Sequence, residues 1–169
     1  MSHVVVRVWV SRIKKTSPGH ASLAIHPNAH TPEEGYVSFA PVKSGSVHGP
    51  GKFYSYKHDH HSYMVKQTNE KTRGYWIGHI YGLDTTKMMN QFAEDSSHPQ
   101  TYSIFNECAT QVHKYLQIGG GDNFSTSWNR TAMLFWSPDD VEDYAKSIIK
   151  HTHHLGSRGH KIVGAGTVF

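Results

Sequence analysis

Val4 to Val10 is a run of β-branched and aromatic residues broken only by Arg7, and this composition predicts a strand. Lys14 to Gly19 has the polar, Pro/Gly chemistry of a turn. In His20-Ala-Ser-Leu-Ala-Ile25 successive side chains alternate, so His20, Ser22 and Ala24 share one face of a second strand and Ala21, Leu23 and Ile25 the other. Tyr36-Val-Ser-Phe-Ala40 predicts a third strand, closed by Pro41, and residues 73–83 a fourth. Between them, residues 43–69 show neither period and read as an excursion or lid.

Helical spacing takes over in the second half. Asp84 caps a segment running to about Glu94 with Met88, Met89 and Phe92 on its buried side. After Tyr102 to Phe105, Asn106 is the expected cap of a helix carrying Ala109, Val112 and Leu116, which Gly119-Gly120-Gly121 ends. Ser137, Pro138 and Asp140 form a capping box ahead of the stripe Val141, Tyr144, Ala145, Ile148 and Ile149. Residues 151–169 read either as a loose tail or as a final strand. The elements together predict one α+β domain over residues 1–169, a small antiparallel sheet packed against helices.

Composition narrows the chemistry. No run approaches the roughly 18 apolar residues of a membrane span, so stable membrane insertion is not expected. The start of the chain lacks the pattern of an export signal, which predicts synthesis in the cytoplasm without a signal peptide. A net charge of +4 suits polyanionic surroundings, but the basic residues are scattered and no nucleic-acid partner is expected. With one cysteine in 169 residues there is no internal disulfide, so Cys108 is core, ligand or reactive group.

Cys108 falls in the first turn of its helix, where the helix dipole and unpaired N–H groups favour the nucleophilic thiolate and can hold an oxyanion. A histidine must take and return its proton, and His20, at the start of a strand, is the preferred base over His79. His58-Asp59-His60-His61 and His151-Thr-His-His154 offer metal ligands instead, yet neither has a recognised zinc spacing. No metal or cofactor is therefore expected.

Gly19-His20-Ala21-Ser22-Leu23, Gly35-Tyr-Val-Ser38-Phe-Ala-Pro41, Tyr102-Ser-Ile-Phe-Asn106-Glu107-Cys108-Ala109-Thr110 with Gly119-Gly120, and Trp136-Ser-Pro-Asp-Asp140 resemble permuted NlpC/P60-like, papain-like cysteine hydrolases. The match, over residues 19–41 and 81–146, is similar to small type VI secretion effectors of the TseH group. It implies a permuted papain-like fold with the histidine strand ahead of the cysteine helix, Cys108 as nucleophile, His20 as base and Ser38 as the third group. Serine orients an imidazole poorly, so His26, His30, Glu33 and Glu34 are alternatives. The resemblance further implies an antibacterial amidase or endopeptidase cutting peptidoglycan peptides, injected into the periplasm of a target cell and accompanied by an immunity protein. A protease, deamidase or acyltransferase acting on protein or lipid is the alternative, and a histidine-rich metal-dependent nuclease or metal-binding module the second.

Overall fold

The structure is a computed structural model that describes residues 2–9, 19–26, 35–59, 75–103, 105–125 and 136–162. Strands β1 (His3–Trp9), β2 (His20–His26), β3 (Tyr36–Val37), β6 (Tyr75–Tyr81) and β8 (Arg158–Ile162) form an antiparallel sheet in the order β3-β2-β1-β6-β8. A second sheet, β4-β5-β7, is built from β4 (Phe39–Pro41), β5 (Gly49–Phe53) and β7 (Gln100–Tyr102). The helices are α1 (Tyr56–Asp59), α2 (Thr85–Ser97), α3 (Cys108–Ile118) and α4 (Pro138–Thr152). The architecture is thus α+β with antiparallel sheets, although the described residues form two sheets where one was expected.

Strand period decides which face of the large sheet the helices cover. The register sets Val4, Val6 and Val8 of β1 beside Ile25, Leu23 and Ala21 of β2. These six fully buried side chains meet Val112 and Leu116 of α3 and Val141, Ala145 and Ile148 of α4. Helix α4 starts on the expected capping box, with the Ser137 side chain accepting from the Asp140 N–H and the Asp140 carboxylate accepting from the Ser137 N–H. Asp84 caps α2 through the Lys87 N–H.

The opposite face is also covered where α1 crosses it. Val5, Ala24 and Tyr36 form a second small core there, with Tyr56 and Ile77 packed against it. His20 and Ser22 belong to this face, as their alternation required.

Three expectations need correction. The strand predicted over Tyr36–Ala40 is broken at Ser38, so Tyr36–Val37 pairs with β2 while Phe39–Pro41 pairs with β5. The break is fixed by the Tyr54 N–H donating to the Ser38 carbonyl at 2.8 Å, a bond to a different sheet. The 43–69 excursion contains β5 and α1, with residues 60–69 outside the described set. Asn106 does not cap α3; the N-cap is Glu107, because the Asn106 side chain donates to the Thr101 carbonyl (2.7 Å) and accepts from Gln111 (2.5 Å). The tail contributes β8, paired with β6.

Candidate active site

Cys108 and His20 meet although 88 positions separate them in the chain. Helix α3 packs on β2, and its first residue is brought to the β2 end where His20 begins the strand. The turn before α3 is pinned by reciprocal backbone bonds between Ser103 and Asn106 (3.2 and 3.0 Å) and by the Asn106 side chain. The thiol is therefore presented from a braced start: Cys108 is 8% exposed and shares a side-chain hydrogen bond with His20.

On its other side the imidazole meets a carboxylate that the sequence reading did not select. His20 Nε2 lies 3.2 Å from Asp59 Oδ2 and 3.1 Å from Ser38 Oγ. Exposures of 3% for His20 and 1% each for Ser38 and Asp59 remove water as a competing partner. Asp59 is gripped in turn, Oδ1 accepting from Ser38 Oγ at 2.8 Å and Oδ2 from the Tyr36 hydroxyl at 2.9 Å, while the Tyr36 oxygen also lies 2.7 Å from Ser22 Oγ. Since Nε2 faces Asp59 and Ser38, Nδ1 is the ring nitrogen for the thiol. Trp9 stacks on the imidazole with centroids 5.5 Å apart, which fixes its plane.

The electrostatics favour the protonated imidazole. Burial pulls the His20 pKa down, but the Cys108 charge and the hydrogen bonds to Asp59 and Cys108 outweigh it and raise the pKa to about 10. A protonated imidazole held between Asp59 and Cys108 is the form these interactions favour. Burial raises the Glu107 carboxyl, opposed by the positive charge of His20, which places a half-buried carboxylate near the pair. Tyr102 is raised to about 12 by burial and then by Cys108 and Glu107, so near neutral pH its hydroxyl is a neutral donor. The N-cap Glu107 makes no side-chain cap bond, so no cap competes for the N–H groups that open α3.

Of the site residues expected from sequence, Cys108, His20 and Ser38 come together. Ser38 touches both His20 and Asp59, so its hydroxyl holds the carboxylate while the carboxylate meets the ring. His79 lies elsewhere, opposite Val5 and Arg158 in the large sheet, and its charged neighbours are Arg158, His3, Arg7 and His160. His30, Glu33, Glu34, His60 and His61 fall outside the described residues, as does the side chain of His26. Among the described residues no three His, Cys, Asp or Glu side chains converge on a metal position. A cavity of about 380 Å³ between β5 and α2, lined by Tyr36, Phe53, Tyr54, Phe92 and His98 among others, shares Tyr36 with the network but contains neither Cys108 nor His20.

The fold and site define an α+β protein with a buried Cys–His–Asp constellation. The family model described as the IcsB middle domain matches residues 53–167, and the chain belongs to that family. The matched stretch includes Asp59 and Cys108; β1 to β4, with His20 and Ser38, precede it. No curated protein and no solved structure matches the chain.

Proposed function

We propose that the protein is a cysteine-dependent amidase or peptidase with a permuted papain-like active site. The observation that carries this reading is a buried His20 held between Cys108, at the start of a helix, and Asp59. Cys108 Sγ attacks the acyl carbon, and the oxyanion is held by N–H groups of the first turn of α3. His20 returns its proton to the leaving amine, giving a thioester. Water, deprotonated by His20, then cleaves the thioester to release the acid and the free thiol. Asp59 keeps the ring oriented and stabilises the imidazolium throughout.

The substrate we propose is the peptide part of peptidoglycan, reached by injection into a competitor's periplasm. A basic chain suits that anionic surface, and IcsB itself is a secreted bacterial effector. A second reading is acyl transfer to an amine on protein or lipid, with the amine replacing water at the thioester. The half-buried Glu107 carboxylate near His20, able to hold a cationic acceptor, favours it.

Directing the protein to the periplasm of a test bacterium, with muropeptide analysis, separates these. Growth arrest with altered muropeptides, lost in Cys108→Ala and His20→Ala, supports wall cleavage. Arrest only on cytosolic expression, still dependent on Cys108, supports acyl transfer. Undiminished toxicity of Cys108→Ala overturns both.

A further inference from the structure

Three histidines that the site does not use, His3, His79 and His160, are gathered on one face of the large sheet. The face of the large sheet opposite α3 and α4 carries His3 and Arg7 of β1, His79 and Tyr81 of β6, and Arg158 and His160 of β8, as the cross-strand register requires. Their rings form a ladder across three strands: His3 to Tyr81 at 4.8 Å, His3 to His79 at 5.8 Å, His79 to His160 at 6.4 Å. None of the five strands of this sheet contains an Asp or Glu. Asp59, which α1 brings to this face, is taken up by His20, Ser38 and Tyr36.

The end of α4 extends the surface. Lys150, His151, His153 and His154 are exposed and lead to Leu155, an exposed apolar side chain packed over Gly82, with Gly156 against the Tyr81 ring. The neighbouring carboxylate, Asp84, is paired with Lys87 at 3.5 Å.

We propose that this face, with Arg158, His160, His79 and His3 at its centre and Tyr81 and Leu155 at its border, docks on the anionic headgroups of a lipid bilayer, more tightly as pH falls. Charge complementarity is the first argument: Arg7 of β1 and Arg158 of β8 are permanent cations on this face, the histidines between them become cations in acid, and none of the five strands carries a carboxylate. The border is the second, since an apolar side chain beside a half-buried tyrosine suits a headgroup boundary better than a soluble polyanion. The third is proton coupling. Burial and then the positive charges of Arg158, His3, Arg7 and His160 hold the His79 pKa down to about 4, and burial with neighbouring positive charge lowers His3. Anions that neutralise those charges raise both, so binding takes up protons, and by linkage acid strengthens binding. An anionic surface at about −30 mV also lowers its local pH by roughly 0.5 unit.

The test uses the full chain carrying Cys108→Ala, so that its outcome is independent of catalysis. Sedimentation with phosphatidylcholine vesicles, with and without phosphatidylserine, is compared at about pH 5.5 and 7.5. The expected result is binding that needs phosphatidylserine, rises severalfold in acid, and is lost in the Arg158→Glu/His160→Glu double variant. Both positions are exposed, so the fold is expected to survive, and a circular dichroism melt checks it. If that variant unfolds, Arg158→Gln is expected to weaken binding severalfold. Binding that ignores phosphatidylserine or the substitutions overturns the proposal. So does capture by RNA with no vesicle binding, or no binding at all, as expected of an edge strand charged only against unwanted pairing.

Discussion

Asp59→Asn isolates what the carboxylate does, because the amide has the same shape and the network can re-pair around it. Ser38 still donates to Oδ1. The new Nδ2 group has two hydrogens, one for the Tyr36 oxygen, which keeps Ser22 Oγ as a partner, and one for His20 Nε2, on the distances of 2.7 to 3.2 Å seen now. That arrangement satisfies every group only if Nε2 carries no proton, so the proton moves to Nδ1, the nitrogen that should receive one from the thiol. Losing the charge-assisted bond costs about 1.5–3 kcal/mol, roughly 10- to 150-fold in rate. The wrong tautomer adds to this, so turnover falls by at least about 10²-fold. Before a substrate is in hand, iodoacetamide alkylation of Cys108 followed by intact mass gives the readout. The native protein should alkylate readily at neutral pH, and the variant should be slower by roughly tenfold or more, because the ring nitrogen that faces the thiol no longer takes up its proton. Equal alkylation rates between pH 5 and 9 would refute the claim that Asp59 sets the protonation of His20.

Three further outcomes follow from the same structure. The His20 pKa is raised from 6.5 to about 10, so the stability it contributes is complete below about pH 6.5 and drains as pH rises toward 10; thermal melts across that range should show the decline in the native protein and a flatter profile in His20→Gln. His113 behaves oppositely: it is buried against Trp136 at a centroid distance of 3.4 Å, and burial, against the pull of Asp122, lowers its pKa to about 4. The unfolded chain therefore takes up the proton first, stability falls as pH drops from about 6.5 toward 4, and His113→Phe should lose less of it over that interval in urea titrations. A Cβ on Gly51 would land on the Phe39 ring, which lies under Tyr102, so Gly51→Ala should cost about 1–3 kcal/mol in denaturant midpoint experiments, and an unchanged midpoint would refute that packing.

The parts of the fold that were legible in the sequence are those where one period dominates. The alternation in β2 placed His20 and Ser22 opposite Ala21 and Leu23, and the capping box marked the start of α4, because both are local properties of the chain. Asp59 was not legible as an orienting group. It lies in a one-turn helix within a stretch without period, inside a histidine run whose composition suggested metal ligands. Only the pairing of β4 with β5 and the packing of α1 over β1 and β2 carry it to His20. Ser38 was found through a motif, and the structure adds the carboxylate it holds. Asn106 has the chemistry of a cap, but its side chain is taken up by two local partners, the Thr101 carbonyl and the Gln111 amide, leaving Glu107 at the cap position.

The most direct test of the central claim is acylation of the thiol itself. After brief exposure to p-nitrophenyl acetate, intact mass and peptide mapping should find one acetyl group on Cys108, removable by hydroxylamine, absent in Cys108→Ala and formed more slowly in His20→Ala and Asp59→Asn. Acetylation confined to lysines, or a Cys108 no faster than the same thiol in the unfolded chain, would contradict the assignment of a Cys–His–Asp active site.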